Sequence, residues 1–95
     1  QLPEVYALHQ NYPNPFNPLV NFNLQVAESK SYNLEVFDMM GRLVKNIHTG
    51  ILVPGNYTFS WNGRLNNSSQ ASSGTYFLVV SNDANSSVNK MLLLK

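Results

Sequence analysis

Three stretches of this 95-residue chain alternate strictly between apolar and polar side chains, and that period limits what the chain can become. Val20, Phe22, Leu24 and Val26 are separated by Asn21, Asn23 and Gln25. Tyr32, Leu34 and Val36 are separated by Asn33 and Glu35, and Tyr57, Phe59 and Trp61 by Thr58 and Ser60. Successive side chains of a strand point to opposite faces, so each run predicts a strand with one dry and one wet face. A fourth run, TYFLVVS at 75–81, is apolar at both phases and predicts a central strand covered from two sides. Weaker strand signals lie at 5–10, 43–48 and 87–94. No long segment holds a helical period with caps at both ends.

Turn chemistry punctuates these runs. Asp38-Met39-Met40-Gly41 fits a hairpin whose glycine takes the left-handed conformation while Asp38 accepts backbone amides. Pro54-Gly55 fits the central pair of a type II turn, because proline presets the first φ and glycine tolerates the positive second one. Asn62-Gly63 opens the longest polar loop, RLNNSSQASS, which ends at Gly74. About seven strands with turns at this spacing predict an all-β chain, an Ig-like antiparallel β-sandwich, although the cysteine pair of antibody domains is missing.

NYPNPFNP at 11–18 is stiff and lacks amide donors at Pro13, Pro15 and Pro18. It therefore reads as a rigid, non-pairing connector between the first two strands. Phe16 is expected to plug the open end of the sandwich, and Asn14 and Asn17 to bond nearby backbone.

Composition narrows the function classes. Charged residues make up 12% of the chain against a typical ~25%, and the formal net charge is +1. Counterion release could drive little nucleic-acid binding, and no polybasic cluster is present to hold an anionic membrane. Polarity comes from 14 Asn and 10 Ser, a neutral hydrogen-bonding surface. The longest apolar runs are too short to cross a bilayer as a helix, so no transmembrane segment is expected. Gln1-Leu2-Pro3 carries neither an initiator Met nor a signal-peptide pattern, which reads as a fragment of a longer chain.

Residues suited to catalysis are sparse. His9 and His48 stand apart with no metal-ligand spacing, and no cofactor is expected. The carboxylates are Glu4, Glu28, Glu35, Asp38 and Asp83, and the odd spacing of Glu35 and Asp38 sends them to opposite faces of a strand. No GxSxG elbow is present. Trp61, in phase with Tyr57 and Phe59, reads either as core filler or as a sugar-stacking platform. Met39-Met40 reads as partial core cover or as an adaptable protein contact. The closing KMLLLK reads as an edge strand guarded by lysines, or as a strand that a partner could extend.

Taken in order, NYPNPFNP, an alternating strand, VFDMMGRLV, VPGNYTFSWNG, SSGTYF and KMLLLK resemble the C-terminal sorting domain, type A, of the type 9 secretion system. The resemblance covers residues 8–95 and leaves 1–7 as the approach from an upstream cargo. The Trp-to-Tyr half is also similar to an Ig-like domain of flagellar hook-capping proteins. The family usually has Asp after the Trp, Gly in mid-loop and Pro two residues later, where this chain has Asn62, Ser68 and Gln70. The resemblance implies a non-enzymatic secretion signal. It would meet the secretion machinery in the periplasm, be removed by a sortase-like cysteine peptidase, and send its N-terminal cargo to the cell surface or medium. Matching positions are Pro54, Gly55, Gly74, Tyr76, Lys90, Met91, Leu92, Leu93, Leu94 and Lys95, with recognition expected on the last strand. The alternative class is an accessory carbohydrate-binding or adhesion sandwich, which requires exposed aromatics from among Trp61, Tyr57 and Tyr76.

Overall fold

In the computed structural model, which describes residues 5–10, 12 and 19–94, each alternating run has become a strand with its apolar phase turned inward, buried throughout except at the half-buried Tyr57 and Phe59. The expectations for Phe16, Asn14, Asn17 and Lys95 lie outside the described residues. The strands are β1 (Tyr6–Leu8), β2 (Val20–Val26), β3 (Lys30–Asp38), β4 (Leu43–Leu52), β5 (Gly55–Trp61), β6 (Gly74–Ser81) and β7 (Ser86–Leu93). They form two antiparallel sheets, one ordered β1-β2-β5 and the other β4-β3-β6-β7. In the constant-type immunoglobulin arrangement the fourth strand joins the first sheet. Here β4 pairs with β3 instead, so three strands face four.

The inner faces interlock. Val20, Phe22 and Leu24 of β2, Tyr32, Leu34 and Val36 of β3, Leu78 and Val80 of β6, and Met91 of β7 lose all solvent exposure. Burying each of these side chains contributes roughly 1.5–3 kcal/mol, which is why the polar phase has no choice but to face water. Tyr6 joins them: its ring meets Tyr32 edge-on at 5.7 Å, and its hydroxyl lies 2.7 Å from Ser87 Oγ. The sandwich therefore includes β1, whose Tyr6, Ala7 and Leu8 pair with Val26, Gln25 and Leu24.

Three expectations need correction. Pro54-Gly55 is not a type II turn: Gly55 has φ 158° rather than a value near +80°. The chain does not turn back there. It bends at Pro54 and crosses from one sheet to the other, Gly55 pairs with Val26 as the first residue of β5, and the Tyr57 hydroxyl bonds the Val53 carbonyl at 2.7 Å. β4 also runs four residues past His48, to Leu52. The register shifts between Leu34 and Glu35 and between Val36 and Phe37 fall within 43–48, whereas Thr49 to Leu52 pair regularly with Asn33 to Lys30 but carry no apolar alternation in sequence. Finally, β6 is central in its sheet, but it is covered on one side only, leaving Phe77 and Val79 half-exposed on the outer face.

Candidate functional site

β7 is the terminal strand of the four-stranded sheet and pairs with β6 over eight residues without a break. Its inward phase, Met91 and Leu93, sits in the core, while Val88, Lys90, Leu92 and Leu94 point outward and are exposed. The same strand thus helps close the core and presents an apolar row carrying a cation. Of the expected site residues, Met91, Leu93 and Tyr76 are buried, so a partner cannot touch their side chains without opening the sandwich.

Registry gathers most of that set. Gly74 pairs with Leu93, Thr75 with Leu92 and Tyr76 with Met91, all near one end of the sheet. Pro54 and Gly55 lie at the other end, where Gly55 pairs with Val26 and Leu52 with Lys30. These two positions are not brought to the β7 surface.

Sequence reading missed the outer face of this sheet. Leu43, Phe37, Phe77 and Lys90 stand in one row across β4, β3, β6 and β7, and Asn46, Glu35, Val79 and Val88 form the next. The signal was present in the second apolar phase of 75–81. In a two-layer fold that phase has nothing to bury it.

The sheet's other border is held by a loop. Asn66 lies along β4, its amide donating to the Val44 carbonyl at 3.0 Å and its Oδ1 accepting the Asn46 amide at 3.1 Å. Two aromatics anchor the loop. Trp61 Nε1 donates to the Arg64 carbonyl at 2.8 Å, the Tyr76 hydroxyl donates to the Ser72 carbonyl at 2.7 Å, and the two rings meet edge-on at 5.1 Å. Trp61 is 1% exposed and Tyr76 7%, which removes both as sugar platforms. Within the loop Ser68 adopts φ 72°, the one non-glycine with positive φ among the described residues. Asn62 Oδ1 accepts the Arg64 amide at 3.2 Å.

Facing this loop across a cleft of about 460 Å³ is the β3–β4 hairpin. Asp38 Oδ1 accepts the amides of Met40 and Arg42 at 2.9 and 3.0 Å, and Oδ2 accepts Arg42 Nε at 2.9 Å. Those bonds, the Arg42 amide first, hold the Asp38 carboxyl below its ordinary value. Gly41 takes φ 80°, as the turn requires. Met39 and Met40 are 71% and 79% exposed, so neither covers the core. His48 leans on Phe59 at 5.4 Å, and His9 lies at the surface beside Gln25. Among the described residues no helix is long and apolar enough to cross a membrane.

Residues 10–94 match the family described as secretion system C-terminal sorting domain. The chain belongs to that family. The sorting domain directs the protein that carries it out of the cell by type 9 secretion, which implies a secretion machinery, an N-terminal cargo region and delivery to the cell surface or beyond. Solved structures share its fold. Dimeric latent PorU from Porphyromonas gingivalis matches 99% of this chain at 18% identity with a TM-score of 0.72. PorZ, an essential surface component of the type-IX secretion system of the same organism, matches 95% at 18% identity with a TM-score of 0.61. This chain spans only 10% and 11% of those two proteins. No curated protein matches it.

Proposed function

We propose that the sorting domain acts as a folded address and not as a catalyst, and that the secretion machinery reads it in the periplasm through the outward side of β7 and the adjoining outer face. The observation that carries this reading is the two-sidedness of β7. Met91 and Leu93 tie it into the core, so Lys90, Leu92 and Leu94 are presented in fixed register only when the domain is folded. An apolar row flanked by a cation suits a protein contact, since exposed apolar area gives affinity and a charge gives register. A sortase-like cysteine peptidase would then separate cargo from domain. Because Tyr6 is buried and paired, such a cut belongs before Val5, where it would leave β1 in place.

The test fuses the domain behind an exported fluorescent reporter in a host with this secretion system. The intact domain should deliver the reporter to the medium or surface. Leu92→Asp with Leu94→Asp should leave it in the periplasm, with the melting temperature of the isolated domain preserved. Export by the folded double variant at the unmodified rate, or retention of the intact fusion, would overturn the proposal.

A further inference from the structure

The outer face of the three-stranded sheet carries a different chemistry and lies apart from the proposed sorting contact. Outward positions stand opposite one another: Asn21 faces Ser60, Asn23 faces Thr58 and Gln25 faces Asn56. On the other flank Tyr12 bridges to Asn21, exchanging backbone bonds of 3.1 and 2.8 Å, so its side chain shares that face. The result is three rows of neutral amides and hydroxyls. The rows are about 6.8 Å apart along β2, two residues of antiparallel rise.

The polarity of these rows is oriented. Asn21 Oδ1 accepts the Ser60 hydroxyl at 2.7 Å. Asn23 Oδ1 accepts the hydroxyls of Thr58 at 3.0 Å and Tyr12 at 3.4 Å, and Gln25 Oε1 lies 3.2 Å from His9 Nε2. With their oxygens engaged inside the sheet's own network, the three side-chain NH2 groups have no protein partner among the described residues. They form a row of donors held in place by the strand beneath. Beside them opens a cleft of about 390 Å³, lined by His9, Tyr12, Asn23, Gln25, Asn56 and Thr58 among others. Tyr12 is 47% exposed at its rim. The volume falls in the range of small-molecule sites. Among the described residues no Lys, Arg, Asp or Glu lines it.

We propose that this face is a binding site for a neutral oligosaccharide. Sugar hydroxyls accept from fixed amide NH2 groups and donate to the remaining lone pairs of amide and hydroxyl oxygens, while the apolar face of a pyranose stacks on an exposed tyrosine ring. An anionic ligand would have to shed water with no countercharge in the cleft, which disfavours it. A three-stranded surface with repeating rows suits an extended glycan that meets one row after another. The site is separate from the proposed sorting contact, which lies on the other sheet.

The experiment is a heteronuclear NMR titration of the 95-residue domain with cellohexaose and maltohexaose, and with oligogalacturonate of equal length as the anionic probe. Saturable shifts are expected at the side-chain amides of Asn21, Asn23 and Gln25 with at least one neutral hexaose. The affinity should fall about fivefold to tenfold in Asn23→Ala and in Tyr12→Ala, the scale of one lost hydrogen bond or stacking contact. Tyr12 is exposed and Asn23 is half-buried on the outer face, and unchanged circular dichroism confirms that the variants fold. The absence of shifts with either neutral hexaose at millimolar concentration would overturn the proposal. So would shifts confined to other surfaces, affinity indifferent to both substitutions, or binding of the anionic probe alone.

Discussion

On the three-stranded sheet the outward phase of β2 and β5 is Asn21, Asn23, Gln25, Asn56, Thr58 and Ser60, whereas on the four-stranded sheet the corresponding phase runs through Phe37, Phe77, Val79, Val88 and Leu92. Both sheets obey the same inward rule, and the shared core requires it. The outward phases differ because nothing in the fold dictates them. A polar outer face costs a two-layer sandwich nothing, so an apolar one supports the proposed contact there.

Four experiments would break or sharpen that contrast. The largest effect is expected inside β7: Leu93→Ala empties a core position and should destabilise by about 2–5 kcal/mol, read as a large fall in denaturation midpoint. Export of that variant should fail through unfolding, unlike the outward substitutions, which should fail while folded. Next comes the loop. Ser68 is held at φ 72°, where a side chain costs roughly 1–2 kcal/mol. Ser68→Gly relieves that strain against a smaller entropic loss, for a net gain of about 0.5–1 kcal/mol measurable by urea denaturation.

A smaller effect concerns pH. The folded state lowers the Asp38 pKa below its ordinary 3.8, so the carboxylate's contribution is complete above that value and is lost as pH falls through the lowered one. The melting-temperature difference between wild type and Asp38→Ala should therefore be constant near neutrality and shrink below about pH 4. The smallest effect on stability is expected on the outer faces. Val88→Thr and Ser60→Thr should each change it by less than about 0.5 kcal/mol, so any difference in export between them reports contact rather than folding.

Much of this architecture was legible in the residues. Alternation placed β2, β3 and β5 and their buried phase, because a period of two leaves one register once a core exists. Asp38 and Gly41 announced their hairpin through local chemistry alone. The motif order from NYPNPFNP to KMLLLK announced the family. What escaped were features set by tertiary context. The far half of β4 pairs regularly with β3, but Thr49, Gly50, Ile51 and Leu52 carry no apolar alternation to announce it. Pro54-Gly55 carries turn residues yet serves a crossing between sheets, and dipeptide chemistry cannot tell a reversal from a change of layer. The outer row through Phe37 and Phe77 was misread because apolarity at both phases implies two covering layers only when two layers exist. Within KMLLLK residues 90–93 were singled out correctly as strand, but the division of Met91 and Leu93 from Lys90, Leu92 and Leu94 waits on the pairing with β6.

The most direct measurement places a photo-crosslinking amino acid at position 92 in one fusion and at position 60 in another, and irradiates cells during secretion. Adducts to components of the secretion machinery should form from position 92 and not from position 60. Equal labelling from both, or labelling from position 60 alone, would contradict recognition through the outward side of β7.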